Sequence, residues 1–209
     1  MDTAALITAF VTLFVVIDPI GLAPLFVALT QGAGGKARRA IGLRACLIAA
    51  GLLTVFGVLG DSVLDFIGIS MPAFRIAGGI LLFLTALDML FERRTKRREG
   101  QAHEAEAADN DPSVFPLAMP LIAGPGAMAT MVLLAGAPGI TWSEVLAIHA
   151  VMAAVIAVVF VLFLGAGLME RALGPTGINV VTRLLGMLLA ALSVQFVLDG
   201  LHATGLTGL

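Results

Sequence analysis

Two helix-breaking motifs stand within long apolar runs and carry the residues best suited to bind a ligand. The first is Ile17-Asp18-Pro19-Ile20-Gly21, and the second is Ala123-Gly124-Pro125-Gly126. Proline removes a backbone hydrogen-bond donor and glycine loosens the backbone, so both residues interrupt an ordinary helix. In hydrocarbon an unpaired backbone group costs several kcal/mol, so a break at that depth indicates a cavity lined by protein or water. Paired breaks in corresponding positions of two halves are typical of a transporter binding site.

Each motif is predicted to begin a short helix. Asp18 is a suitable N-cap with Pro19 as the first helical residue, whereas Gly124 precedes Pro125 without a capping side chain. The first N–H groups of a helix lack internal acceptors and lie at the positive end of its dipole, so each helix start attracts anions. Alternatively, Asp18 only caps a kinked helix and both breaks ease packing. An ionised aspartate inside a bilayer costs about 2.5–3.5 kcal/mol, which favours a function for Asp18.

The two helix starts differ in charge, which predicts a site for a zwitterion. The carboxylate of the ligand would lie on the amides of Gly124 and Gly126, and its ammonium near Asp18 and the carbonyls of residues 16–17. The surrounding side chains are small, which indicates a small substrate. The predicted binding residues are Asp18, Pro19, Gly21, Gly124, Pro125, Gly126 and Thr130.

Other polar residues fall inside the apolar runs or at their ends. Arg75 and Arg183 either act in gating or charge pairing on opposite faces, or extend their side chains to lipid headgroups. Ser193 and Gln195 are candidates for polar lining or for hydrogen bonds between helices. Asp88 lies near the end of its run and is expected at the membrane interface.

The composition is that of a polytopic membrane protein. Of 209 residues, 59% are hydrophobic and 12% charged, about half the charged share of a soluble domain. The single cysteine, Cys46, excludes a disulfide framework or a cysteine metal cluster. The sequence has no nucleophile beside a base, no HExxH and no phosphate-binding loop, so we expect no enzyme activity, cofactor or metal. A proton or sodium ion stays open as a coupling cation.

Six apolar runs are long enough to span a bilayer, at about 4–29, 40–60, 70–90, 113–136, 143–168 and 179–201. Basic residues cluster in the first and third connections and are absent from the second and fourth. The positive-inside rule therefore places connections one and three in the cytoplasm and both termini on the outer, periplasmic side. Basic residues elsewhere are few, so the expected partners are the lipid bilayer and a small-molecule substrate, and not nucleic acid. The basic connections contain Lys36, Arg38, Arg39 and Arg44, and Arg93, Arg94, Lys96, Arg97 and Arg98.

We predict an all-α polytopic membrane protein of six transmembrane helices, with helices one and four broken near the midplane. Residues 1–92 form a first three-helix repeat, residues 93–112 a basic and then acidic cytoplasmic linker, and residues 113–209 a second repeat. An odd number of crossings in each half makes the repeats inverted. Matches at a nearly constant offset support the repeat. An offset of 106 positions (124 − 18) pairs Asp18 with Gly124, and an offset of 108 (183 − 75) pairs Arg75 with Arg183, Gly78 with Gly186, and Thr85 with Ser193.

Four stretches of the chain together resemble the MarC family. They are Phe14-Val-Val-Ile-Asp18-Pro-Ile-Gly21-Leu-Ala-Pro24, Phe74-Arg75-Ile-Ala-Gly-Gly-Ile-Leu-Leu-Phe-Leu-Thr-Ala-Leu-Asp88, Pro116-Leu-Ala-Met-Pro120-Leu-Ile-Ala-Gly124-Pro-Gly126 and Asn179-Val-Val-Thr-Arg183-Leu-Leu-Gly186. The resemblance covers nearly the whole chain and implies a six-helix bacterial inner-membrane protein. The family includes SnatA-type carriers that move small neutral amino acids, chiefly glycine and alanine, coupled to an ion gradient. Leu22 stands where relatives often have asparagine, which removes one polar ligand.

The resemblance and the paired breaks predict a secondary transporter of small neutral amino acids, ion-coupled and working by alternating access around the broken helices. Two other classes stay open. One is a non-transporting membrane protein that aids assembly or stress signalling through its basic linker. The other is a broader metabolite or drug efflux protein, for which a wider and more aromatic cavity would be expected. The sequence makes no prediction of the oligomeric state.

Overall fold

The computed structural model describes residues 2–93, 97–98, 100, 111–137 and 139–205, and these contain helices and turns with no strand. Much of the predicted linker, including Arg94 and Lys96, lies outside the described residues. The predicted all-α class is confirmed. The seven helices with described bounds are α1 (Thr3–Ile17), α2 (Pro19–Leu29), α3 (Gly35–Ile67), α4 (Met71–Leu90), α5 (Ser113–Ile122), α6 (Pro125–Ala135) and α7 (Trp142–Ala203).

Five helical segments of the described chain are long and apolar enough to cross a membrane, and six if the bent pair α5–α6 counts as one span. The helices α1 and α2 form one such 27-residue segment across their break, whereas α5 and α6 are bent by 56°. Within α7, Trp142–Met169 and Arg171–Ala203 are separate candidate spans. Both predicted breaks are therefore present, the second as a bend.

One element boundary differs from the apolar runs. The sequence predicts that the second connection begins near Asp61, but α3 continues to Ile67, so Asp61 and Asp65 are helical. Runs five and six are separate spans within α7, which departs from helical geometry at Gly174 (φ 62°, ψ 173°), immediately before Pro175. Glycine in the left-handed region and proline at a new helix start fix this kink.

The fourth predicted helix is irregular before its break. Phe115 (φ −125°, ψ 125°) and Met119 (φ −130°, ψ 127°) are extended within α5. Each precedes a proline, Pro116 or Pro120, whose ring clashes with a preceding residue in helical conformation. The segment before Gly124 is therefore bent at these two residues, whereas the segment before Asp18, α1, is a regular helix.

Helix α4 packs along the last span of α7 through glycines on both helices. A Cβ atom on Gly79 would lie 2.7 Å from Val197 Cγ2 and 2.8 Å from the Ser193 carbonyl oxygen. A Cβ atom on Gly186 would lie 2.9 Å from Met89 Cβ. Small residues at such contacts let helix backbones approach closely, which is how helices associate in membranes.

An alanine at Gly79 is expected to lower the free energy of unfolding by about 1–3 kcal/mol, because its Cβ would overpack the contact with α7. Gly51→Ala is the matched control, since no atom lies within 4 Å of its Cβ position and alanine favours a helix by about 1 kcal/mol. Unfolding can be followed in mixed micelles by the reaction of buried Cys46, the only cysteine, with a fluorogenic maleimide. Equal stability of the two variants would contradict the packing argument.

Ion pairs bring the basic connections to one end of the helix bundle. Arg44 of α3 pairs with Asp111, which lies two residues before the start of α5. The side chain and backbone N–H of Ser113 donate hydrogen bonds to Asp111, and these hold the pKa of that carboxyl below its usual range. Arg183 of α7 pairs with Glu92 at 2.6 Å, just after α4. Connections one and three therefore share an end of the bundle, as the charge pattern predicts.

Candidate binding site

Asp18 forms the first break. It has left-handed backbone angles (φ 58°, ψ 64°), ends α1 and caps α2, and its side chain is fully buried. Its Oδ1 accepts a hydrogen bond of 3.1 Å from the N–H of Gly21. A Cβ atom on Gly21 would lie 2.2 Å from Asp18 Oδ2, so the folded-back carboxylate requires glycine at that position. Aspartate tolerates the left-handed region better than most residues, which suits it to this joint.

Arg98 is the partner of the buried Asp18. Its Nη1 donates to Asp18 Oδ2 at 3.0 Å, and its Nη2 donates to the carbonyl oxygen of Ile17 at 3.2 Å. The side chains of the pair are 5% and 1% exposed. Burial lowers the pKa of the Arg98 guanidinium, and the charge of Asp18 partly offsets that effect. An arginine remains protonated under these conditions, so the site contains a buried charge pair.

Gly124 forms the second break and is the N-cap of α6, with no side-chain cap. A Cβ atom on Gly124 would lie 2.6 Å from the carbonyl oxygen of Pro120, so the close approach of the backbone requires glycine. In the described chain, the N–H groups of Gly126 and Ala127 have no backbone acceptor. These donors and the helix dipole make the start of α6 suitable for an anionic group. Buried Thr130 donates its hydroxyl to the Gly126 carbonyl at 2.8 Å.

A cavity of about 550 Å³ lies against the second break and Arg98. Asp18 contacts Arg98 and does not itself line the cavity. Arg97 and Asp88 form a second ion pair there, at 2.9 Å, and the Arg97 side chain is 59% exposed. The cavity therefore combines two paired arginines with the free amides at the start of α6. Its lining residues are Val16, Leu81, Leu84, Thr85, Asp88, Arg97, Arg98, Pro120, Leu121, Ile122, Gly124, Pro125, Gly126 and Ala127.

The structure brings together some of the predicted site residues and separates others. Three of the second break, Gly124, Pro125 and Gly126, line the cavity, and Asp18 reaches it through Arg98. The remaining candidates lie elsewhere. Arg183 pairs with Glu92, Ser193 donates to the Ala190 carbonyl at 2.7 Å, Gln195 donates to Asp199 at 2.7 Å, and Arg75 has no hydrogen bond or ion pair within the described residues.

Sequence reasoning missed Arg97, Arg98 and Asp88 as cavity residues. The positive-inside rule uses the two arginines only to orient the protein, and the sequence pattern predicts that Asp88 lies at the membrane interface. A signal was available for Arg98, because a buried aspartate needs a cationic partner and the apolar runs offered none close to residue 18. The pairing of residues 80 positions apart could not be read from local pattern.

The outer surface of the described helices defines an integral membrane protein. Large apolar side chains face outwards along the candidate spans, among them Phe66, which is 92% exposed, and Leu168, which is 74% exposed. Such continuous apolar surface is stable against lipid and not against water.

Comparisons with known proteins identify the family. A model described as "MarC family integral membrane protein" matches residues 3–204. A UPF0056 membrane protein of Aquifex aeolicus is 40% identical, over 93% of this chain and 91% of the relative. The UPF0056 inner membrane protein YhgN of Escherichia coli is 35% identical, over 94% of this chain and 96% of the relative. The chain belongs to the MarC family, which confirms the resemblance of the four motifs. No solved structure matches the chain.

Proposed function

We propose that this protein is a secondary transporter of small neutral amino acids of the glycine or alanine type, coupled to a proton or sodium gradient. The observation that supports the proposal best is the cavity at the second break, which Arg98 connects to the first. The cavity offers the free amides of Gly126 and Ala127 to a carboxylate, and Arg98 in its lining contacts the carboxylate of Asp18, which could bind an ammonium group in place of Arg98. These are the two groups that a zwitterion requires. The proposal includes neither an enzyme activity nor a resident cofactor.

The lining of the cavity favours a small polar substrate over a bulky drug. Its residues include glycine, alanine, proline and branched aliphatic side chains together with three charged residues, and none of those identified is aromatic. Drug-sized ligands are held mainly by large apolar and aromatic side chains. The volume of about 550 Å³ leaves room for water around a small amino acid.

The proposed mechanism is alternating access between two inverted repeats. Symmetry in the packing supports the repeat: Gly79 of α4 contacts Val197, and Gly186 of α7 contacts Met89. The sequence offset of 108 (183 − 75) relates position 89 to position 197. The same offset relates position 78, next to Gly79, to position 186. Contacts exchanged between equivalent positions are expected when two repeats pack about a pseudo-twofold axis.

The proposed orientation places the linker in the cytoplasm and both termini in the periplasm, with the protein in the inner membrane. The shared end of connections one and three supports it, because basic ends face the cytoplasm. The exposed Arg97 lies at the same end and borders the cavity. In this orientation, the cavity lies on the cytoplasmic side of the protein.

The test is flux in liposomes. Purified protein is reconstituted, and labelled glycine or alanine is followed under an imposed proton or sodium gradient. We expect gradient-dependent flux that falls at least about 100-fold in Asp18→Asn and in Gly124→Leu, since the first removes the charge that faces the ammonium and the second adds a side chain that blocks the start of α6. Gly167→Ala is the control, because its Cβ would meet no atom within 4 Å.

No flux of either amino acid from protein with protected Cys46 would refute the amino-acid proposal. A signalling role through the linker would instead be supported if Asp18→Asn retained function in cells and replacement of Arg93, Arg94 and Lys96, which leaves both cavity arginines in place, abolished it.

A further inference from the structure

The guanidinium of Arg98 fills the position that the ammonium of a substrate would take. Its two terminal nitrogens contact Asp18 Oδ2 at 3.0 Å and the Ile17 carbonyl oxygen at 3.2 Å. The other carboxylate oxygen of Asp18 is engaged by the N–H of Gly21. The carboxylate and the carbonyl that a primary ammonium would need are thus both occupied by a side chain of the protein itself.

We propose that Asp18 and the Ile17 carbonyl form a subsite for small organic cations, primary ammonium or guanidinium groups, and that Arg98 is its tethered competitor. The inference rests on the proposed function only for the natural ligand of the subsite, which is the ammonium group of the transported amino acid. Arg98 fills the subsite in the empty transporter, and the substrate displaces it.

Asp18 and Arg98 are held in different ways. This difference makes Arg98 the partner that leaves the ion pair when a ligand binds. Asp18 is fixed by its left-handed backbone and its cap on α2, inside a membrane span. Arg98 lies outside the candidate spans, borders the cavity and has a long flexible side chain. The neighbouring Arg97 also lies outside the candidate spans, and its side chain is largely exposed.

Exchange of one cation for another avoids a buried uncompensated charge. Removing one partner of a buried ion pair is strongly destabilising, because the remaining charge has lost both its solvent and its counter-charge. When a substrate ammonium replaces Arg98, Asp18 remains paired and the guanidinium returns to water. Withdrawal of Arg98 alone leaves the buried Asp18 unpaired. The arrangement therefore couples the release of Arg98 to the arrival of a ligand.

The competition reduces the apparent affinity for substrate, since the subsite is free for only a fraction of the time. In Arg98→Gln, which keeps side-chain N–H donors but lacks the charge, glycine is expected to bind at least about tenfold more tightly. In Arg98→Lys, which keeps a tethered cation, glycine is expected to bind with an affinity near that of the wild type. Binding is measured as the concentration of glycine that half-maximally delays the reaction of Cys46 on heating.

A second experiment tests the subsite without an amino acid. Methylammonium chloride at millimolar concentration is added to Arg98→Ala, and unfolding is followed through Cys46. We expect stabilisation of Arg98→Ala and none of the double variant Asp18→Asn/Arg98→Ala. Arg44→Gln is the matched control, because it breaks an arginine–aspartate pair outside the cavity and should gain no response to methylammonium.

The outcomes separate this inference from the proposed function. Stabilisation of Arg98→Ala by methylammonium that requires Asp18, without any effect of glycine or alanine, supports the cation subsite and refutes the amino-acid substrate. Weaker glycine binding in folded Arg98→Gln would overturn the competition and make Arg98 a ligand of the substrate. Equal effects of methylammonium on the single and double variants, or no effect on either, would overturn the subsite.

Discussion

Asp18→Ala is expected to lower the free energy of unfolding by about 3–5 kcal/mol. The substitution removes the charge partner of buried Arg98 and the acceptor of the Gly21 N–H. It also places alanine at φ 58°, in the left-handed region, where alanine lacks the local side-chain hydrogen bond that lets aspartate adopt this conformation. The measurement is an SDS titration in mixed micelles with the reaction of Cys46 as the readout.

Asp18→Asn separates the charge from the backbone effects. Its amide oxygen can still accept a hydrogen bond from the Gly21 N–H, and asparagine tolerates the left-handed region. The free energy of unfolding of Asp18→Asn should therefore be about 1–2 kcal/mol higher than that of Asp18→Ala. Adding Arg98→Gln to Asp18→Asn removes both charges and should recover most of the remaining loss. If all three proteins unfolded at the same SDS concentration as the wild type, the buried pair would make no net contribution to stability.

The parts of the fold that are encoded locally could be predicted from the sequence. Proline and glycine set the breaks at Asp18 and Gly124, and each break begins a helix with proline in its first turn, as expected. The uncapped state of Gly124 also follows directly from its lack of a side chain. The run of apolar residues predicted the class of the protein, because hydrocarbon accepts only segments whose backbone groups are paired internally.

The parts that depend on distant contacts could not be predicted in this way. The pairing of Arg98 with Asp18 joins a polar segment to a membrane helix and has no periodic signature. A hydropathy profile classes Arg98 as a charge in solvent. Arg98 is nevertheless buried, because the buried carboxylate of Asp18 needs a cationic partner.

Gly126→Val is expected to reduce the flux of glycine and alanine at least about 100-fold, because its side chain would fill the space in front of the free amides of α6. A Cβ atom on Gly126 would lie 3.3 Å from Val16 Cγ1 and 3.4 Å from Leu82 Cδ2, contacts that small shifts can accommodate. Gly126→Ala should therefore fold normally and only narrow the cavity. We expect it to reduce the flux of alanine about tenfold more than that of glycine, since one methyl group decides the fit.

The graded series tests position and size together. Both variants retain the backbone N–H at residue 126, so any loss of flux comes from the volume of the added side chain and not from a missing donor. Gly167→Val is the matched control, because glycine 167 is exposed on α7 with no atom within 4 Å of its Cβ position. If Gly126→Val carried alanine at the wild-type rate with Cys46 still protected, the substrate would have to pass at a distance from the start of α6. The carboxylate position proposed for this site would then be wrong, even if the protein is a transporter.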